Sequence, residues 1–214
     1  MHKYPVRFFL FLSAACLSVS CNQYRHMQKV QGKQNCVFKF KPDFSRVVYK
    51  TSVDVVGKHL SGLLVFKYMP DSSTRVVFTS ETGLGFFDFG FLPGNRFIVY
   101  QVISKMDKKA VIRTLRNDFD LIMFNNTGTQ HAYDLTDSLL VYHAFPQKNG
   151  VNYYITDAEC SQLIKLQRAS NKKPIMEAIM NGYTTGNSPE NILIRHLNFN
   201  FSISLKKITP IASQ

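Results

Sequence analysis

Residues 63–103 read LLVFKYMPDSSTRVVFTSETGLGFFDFGFLPGNRFIVYQVI, and this stretch decides the fold. Four runs rich in Val, Phe, Ile and Tyr (63–68, 75–79, 86–91 and 97–103) are separated by Met69-Pro70-Asp71-Ser72-Ser73, by Glu81-Thr82-Gly83 and by Pro93-Gly94-Asn95. Aromatic and β-branched side chains suit a pleated, half-buried surface, while Pro, Gly, Asn and Asp set the backbone angles of tight turns. Links this short cannot hold a crossover helix, so the runs predict antiparallel hairpins.

Upstream, Val37-Phe38-Lys39-Phe40 alternates as a short strand and stops at Pro42-Asp43, and 44–56 contains a second, with Val47, Val48, Tyr49 and Val53. Downstream the period changes. In 107–124 the apolar positions are Val111, Ile112, Leu115, Phe119, Ile122 and Met123, one stripe of a helix with charged residues opposite, and Asp107 is placed to cap it. Such a stripe predicts packing on the sheet. Strands resume over 130–135, 139–145 and 151–156, with Gln147-Lys148-Asn149-Gly150 as the last hairpin turn, and 161–167 continues the sheet. Residues 175–180 suit a helical stretch or a strand, and 192–208 reads as one long alternating element. The expected fold is α+β and mainly β: a curved antiparallel sheet, an open half-barrel, capped by one main helix and short helical segments. It occupies 35–214 as a single domain.

The N-terminus carries an address. His2, Lys3 and Arg7 precede an apolar run over 8–19, too short to span a bilayer, which ends Leu17-Ser18-Val19-Ser20-Cys21. The pattern resembles a bacterial lipoprotein signal, with 1–20 removed and Cys21 acylated by palmitate-type chains. Ser18 stands where that pattern usually has Leu, and Cys16 after Ala14-Ala15 is a second candidate, left with a shorter apolar run. Asn22 and the acid-free stretch to Gln34 lack both the inner-membrane and the cell-surface sorting features of such proteins, which implies the periplasmic face of the outer membrane. Residues 21–34, polar and carrying the lipid, read as a flexible tether.

The formal charge is +12, and loss of Lys3 and Arg7 with the signal leaves +10. An exported protein rarely meets nucleic acid, so none is expected as a partner; an anionic lipid surface suits spread positive charge better, and solubility alone also explains it. The densest groups are Lys105, Lys108, Lys109, Arg113 and Arg116, then Lys165, Arg168, Lys172 and Lys173. Cys36 and Cys160 could pair in an oxidising compartment or pack separately as small apolar residues; their spacing does not decide.

Catalytic signatures are missing from the sequence. His26, His59, His131, His143 and His196 make no metal-ligand spacing and no Cys-x-x-Cys occurs, so no metal or cofactor is expected. Gly83-Leu84-Gly85 lacks the Lys-Ser/Thr of a phosphate loop, and no Gly-x-Ser-x-Gly elbow is present. Glu81 and Asp88, the latter between Phe87 and Phe89, are the acids to test for hydrolysis, but the reading is non-enzymatic.

With Cys21, the four strands from 63 to 103 and the helix from Asp107, the chain resembles the lipoprotein-carrier families LolA and LolB over most of 38–208. The resemblance is one of element order and composition. It implies an open half-barrel whose apolar face receives lipid or acylated protein ligands, lined here by Phe66, Phe78, Phe87, Phe89, Phe97, Val99, Leu115, Phe119 and Ile122. The anchored family inserts an apolar residue from a strand-connecting loop into the membrane; the matching turn is Tyr68-Met69-Pro70, and Met69 the residue. The alternative function is an envelope assembly accessory that docks another protein through its sheet edge or basic face.

Overall fold

The computed structural model describes residues 23–30, 36–128, 133–137, 139–170, 173–182 and 187–208. The expected signal, Cys16 and Cys21 lie outside them. Among the described residues thirteen strands form one antiparallel open sheet. They are β1 (Gln28–Val30), β2 (Arg46–Val55), β3 (Lys58–Tyr68), β4 (Thr74–Thr79), β5 (Gly85–Leu92) and β6 (Arg96–Val102), then β7 (Tyr133–Thr136), β8 (Leu140–Gln147), β9 (Gly150–Asp157), β10 (Leu163–Ala169), β11 (Pro174–Asn181), β12 (Asn191–His196) and β13 (Phe201–Lys207). The order across the sheet is β1-β7-β8-β9-β10-β11-β12-β13-β2-β3-β4-β5-β6, so the C-terminal hairpin joins the two halves of the chain. The α-helix α1 (Lys109–Ile122) packs on one face, with short 3-10 turns at Val37–Phe40 and Asn125–Gly128. The expected fold class is the observed one.

Burial follows the two-residue period. In β2, Val47, Tyr49, Thr51 and Val53 point to the helix side and are buried, as are Leu64 and Phe66 in β3 and Val76 and Phe78 in β4. The core is aromatic: Phe44 stacks on Phe66 at 4.4 Å and Phe87 on Phe89 at 4.4 Å, with Phe119 of α1 edge-on to Phe66 at 6.0 Å. At Gly62 the approach of β4 leaves no room for a side chain, since a Cβ there would lie 2.0 Å from the Thr79 carbonyl oxygen.

Three local expectations are corrected. Residues 37–40 form a 3-10 turn; β2, the next strand along the chain, is already paired on both sides, by β13 and β3, so they cannot join the sheet beside it. Residues 192–208 fold back on themselves as the hairpin β12–β13, which keeps the same alternation that a single strand would show. Lys108, not Asp107, sits at the helix N-cap, without a side-chain cap bond. Residues 175–180 fall within β11, a strand.

The stretch expected as a free tether is partly docked. Tyr24 is buried, its ring 4.9 Å from Tyr153, and its hydroxyl donates to Gln167 Oε1 at 2.7 Å. β1 then pairs with β7. A small second core of Tyr24, Tyr142, Tyr153, Ile155 and Ala169 therefore forms on the face of β7–β10 opposite α1. A disulfide joins Cys36 to Cys160, with Cα atoms 6.0 Å apart, and ties the 3-10 turn to the β9–β10 connection. Among the described residues no helix is long and apolar enough to cross a membrane.

Candidate functional site

Helix α1 lies on the sheet through Leu115, Phe119 and Ile122, all buried, with Val111 half-buried one turn earlier. Its last turns are fixed. Asp118, 0% exposed, accepts a hydrogen bond from His196 Nε2 at 2.8 Å and lies 3.2 Å from Arg168 Nη1 as an ion pair. A buried charge needs such partners, because burial removes its hydration. Tyr154 donates its hydroxyl to the Leu121 carbonyl at 3.2 Å, filling one of the acceptors that a helix leaves open at its C-terminus. The chain then turns at Phe124, whose φ of 59° is left-handed and more usual for glycine; its ring, 4.4 Å from that of Tyr154, holds it there. Burial raises the Tyr154 hydroxyl pKa well above the usual tyrosine value, with the Asp120 charge adding to it, so this cap stays a donor at any ordinary pH.

The first half of α1 is held differently. Between Val111, Leu115 and the preceding Lys105-Met106 on one side, and β2–β5 and β13 on the other, lies a cavity of about 160 Å³. Its sheet wall includes Val53, Val55, Leu60, Leu64, Phe78, Phe87, Phe201 and Ile203; Thr51 and Lys105 are its polar residues. Apolar walls of this kind suit apolar guests, as an enclosed cavity of roughly 150 Å³ lined by Leu, Ile and Phe takes them.

Of the residues proposed from sequence as lining, Phe78, Phe87, Leu115 and Phe119 border this cavity. Phe66, Phe89 and Ile122 lie deeper, in the fully buried core. Phe97 is half-buried against Phe89 at 5.3 Å and opens on the far flank of the helix. Val99 pairs opposite Phe89, but on the edge strand β6 it is 37% exposed, beyond the cavity and the packed core. A register slip between Asp88 and Phe89 and the lack of a further strand leave it open. Met69 sits half-buried in the β3–β4 turn, where its N–H donates to the Ser73 carbonyl at 2.8 Å; its neighbour Tyr68 is the more exposed side chain. The walls from β2 and β13 were absent from the sequence reading. The alternation of Val53 with Val55 and of Phe201 with Ile203 is the signal that could have found them.

The acids singled out for hydrolysis do not converge on this cavity. Asp88 lies on the outer face of β5, where Arg75 clasps both carboxylate oxygens and stacks over Tyr100 at 3.7 Å. Glu81 is exposed near Lys50, at 3.6 Å. Among the described residues no group of His, Cys, Asp and Glu has the clustering of a metal centre. His143 forms a second buried polar set away from the cavity, with Asp134 Oδ1 at 3.0 Å, Thr156 Oγ1 at 3.1 Å and the Cys36 sulfur at 3.3 Å.

No protein-family model matches the chain, and no curated protein matches it in sequence. Solved structures similar to it include a LolA superfamily protein, NE2245, from Nitrosomonas europaea, at 10% identity and a TM-score of 0.47, covering 82% of this chain and 89% of that one. A putative outer membrane lipoprotein-sorting protein domain from Vibrio parahaemolyticus aligns at 6% identity and a TM-score of 0.46 over 85% and 93%. A DUF1329 family protein from Desulfovibrio piger aligns at 8% identity and a TM-score of 0.37 over 79% and 88%.

Proposed function

We propose that this protein is a non-enzymatic envelope lipoprotein that holds an acyl chain of a lipid or an acylated protein between α1 and the sheet, anchored through Cys21 to the periplasmic face of the outer membrane. The observation that carries the reading is the apolar cavity of about 160 Å³ under the first half of a helix whose buried ion pair lies in its second half. Ligand sites usually measure about 300–1,000 Å³, so the cavity as it stands admits part of a chain. The first half of α1 is the part that can yield: Met106, Val111 and Ile112 are only half-buried, whereas Asp118, Leu121 and Ile122 are fully enclosed. A swing about the pinned end widens the space without breaking the buried ion pair. Met69, in the turn at one end of β3, is the candidate for contact with the bilayer.

The test is displacement of a fluorescent fatty acid, together with native mass spectrometry of the protein as purified from its membrane. Val111→Phe puts a ring into the cavity from the lid side and is expected to weaken binding about tenfold or more, since a filled cavity offers a chain no apolar area to bury. Equal binding by Val111→Phe and the unaltered protein, with both folded, would falsify the reading. The same mass spectra are expected to show an acylated Cys21 as the first residue; an unmodified Cys21 removes the anchor while leaving the cavity reading intact.

A further inference from the structure

The other flank of α1 carries a second concavity, about 540 Å³, between the helix, the β5–β6 turn at Asn95 and the β8–β9 turn at Lys148. Five cations line it: Lys109, Arg113 and Arg116 of the helix, Lys148 of the turn and Arg168 of β10. The one carboxylate in its wall, Asp120, is met by Asn125 Nδ2 at 3.0 Å and by Arg116 Nε at 3.5 Å. Lys109, Arg113 and Lys148 make no ion pair among the described residues. Three like charges facing one groove without counterions repel one another, and an anion bound between them relieves this.

The floor of the groove points the same way. Asn152 of β9 and Arg168 of β10 are directly opposite each other on the helix side of the sheet. Asn152 is 2% exposed and its Oδ1 has no hydrogen-bond partner; Arg168 Nη1 also lacks one, its approach to Asp118 being out of hydrogen-bond alignment. Buried polar groups left open are uncommon, and both of these line the groove. An Asn amide offers NH₂ to the groove after a half-turn about its last bond, and a guanidinium offers a planar fork. We infer that this groove binds a phosphate group, with Arg168 and Asn152 as donors at the floor and Lys109, Arg113 and Lys148 around the rim. Several convergent guanidinium and ammonium donors match the three or four oxygens of a phosphate better than the two of a carboxylate. The inference is independent of the acyl-chain reading, since the groove and the cavity share no lining residue.

Two probes separate the sources of the phosphate: inorganic phosphate in titration calorimetry, and flotation with vesicles of phosphatidylcholine containing phosphatidylglycerol. Binding of inorganic phosphate marks a soluble phosphate compound as the ligand, and binding to the vesicles alone marks a lipid headgroup; either supports the site. Arg113→Glu and Lys148→Glu, both exposed, are expected to weaken binding about tenfold, and Asn152→Asp, which puts a carboxylate on the floor, by at least as much. Lys58→Glu, the same charge change at an exposed position on β3, is the control and is expected to stay within about twofold. Failure of the protein to bind either probe, or a loss for Lys58→Glu as large as for Lys148→Glu, overturns the inference. Unchanged binding by a folded Asn152→Asp does so too; should that variant not fold, the two rim substitutions against the control decide.

Discussion

The two ends of the sheet are built on different principles. Strands β2–β6 are covered on one face only, by α1, and what lies beneath the start of that helix is an apolar cavity. Their other face is open to solvent and carries pairs such as Arg75 with Asp88. Strands β7–β10 are covered on both faces. Tyr24 and the segment around it pack on one, while the disulfide turn, Phe124 and the buried polar set of His143 occupy the other. One end therefore holds apolar space beneath the half-buried start of α1, and the other is fixed by a covalent bond and buried hydrogen bonds. Apolar space and cross-links are kept apart in the molecule, with α1 bridging them: its C-terminal half belongs to the fixed end and its N-terminal half to the open one.

The link between the ends is Asp118, and removing it is the harshest way to break the contrast. Asp118→Ala leaves Arg168 and His196 buried without the carboxylate they share. Breaking a buried ion pair from one side costs about 3–5 kcal/mol, and that loss is expected in denaturant unfolding. The second half of α1 should then exchange its amide hydrogens as fast as the first half does. A variant that loses stability while keeping slow exchange at 118–122 would show that the apolar stripe alone pins the helix.

Next in size is the covalent tie at the fixed end. Cys36 and Cys160 are 124 residues apart in sequence, so their bond shortens the unfolded chain considerably. Replacing both with Ala is expected to cost about 2–4 kcal/mol. The effect should be local in the folded state: exchange speeds up in the 3-10 turn and the β9–β10 connection, and fatty-acid binding at the far end stays as it was. Loss of binding together with stability would mean that the two ends are mechanically coupled.

The contrast was only half legible in the sequence. The open end could be read because Leu63 to Ile103 is a run of hairpins, each with its own turn residues, and the stripe of 107–124 declares which helix face is covered. Turn chemistry and periodicity are local, and local signals survive in one sequence. The fixed end depends on contacts between distant residues. Nothing near Tyr24 says that its ring meets Tyr153, and nothing near His196 says that it shares Asp118 with Arg168. Polar composition around Gln23–Gln34 suggested a tether because one buried tyrosine changes the average little. Val99 shows the remaining weakness: alternation gives its face correctly, opposite Phe89, but not that β6 is an edge strand left half uncovered.

Within the fixed end, the finest distinction lies in two carboxylates with opposite pH behaviour. Glu177, on the outer face of β11, loses hydration by burial, which alone would raise its pKa; hydrogen bonds from Lys165 at 2.9 Å and Gln167 at 2.8 Å, with Arg195 at 3.6 Å, outweigh that and hold it below the usual glutamate value. A lowered folded-state pKa means that Glu177 stabilises the protein above the ordinary glutamate range and that this is lost as pH falls through the lowered value. Asp120, on α1, is raised by burial in spite of Asn125 and Arg116. Its ionised form is therefore a cost, absent in acid and fully present once pH has risen through the raised value. Glu177→Gln is thus expected to lower stability at neutral pH by up to about 1 kcal/mol and to flatten the acid limb of the stability curve. Asp120→Asn is expected to raise stability at neutral pH by a similar or smaller amount, keeping an amide oxygen to accept from Asn125. Urea unfolding of both variants between acid and neutral pH reads the two signs. If both shift stability the same way, burial at the helix does not outweigh its partners, and the fixed end carries its buried charges in one way only.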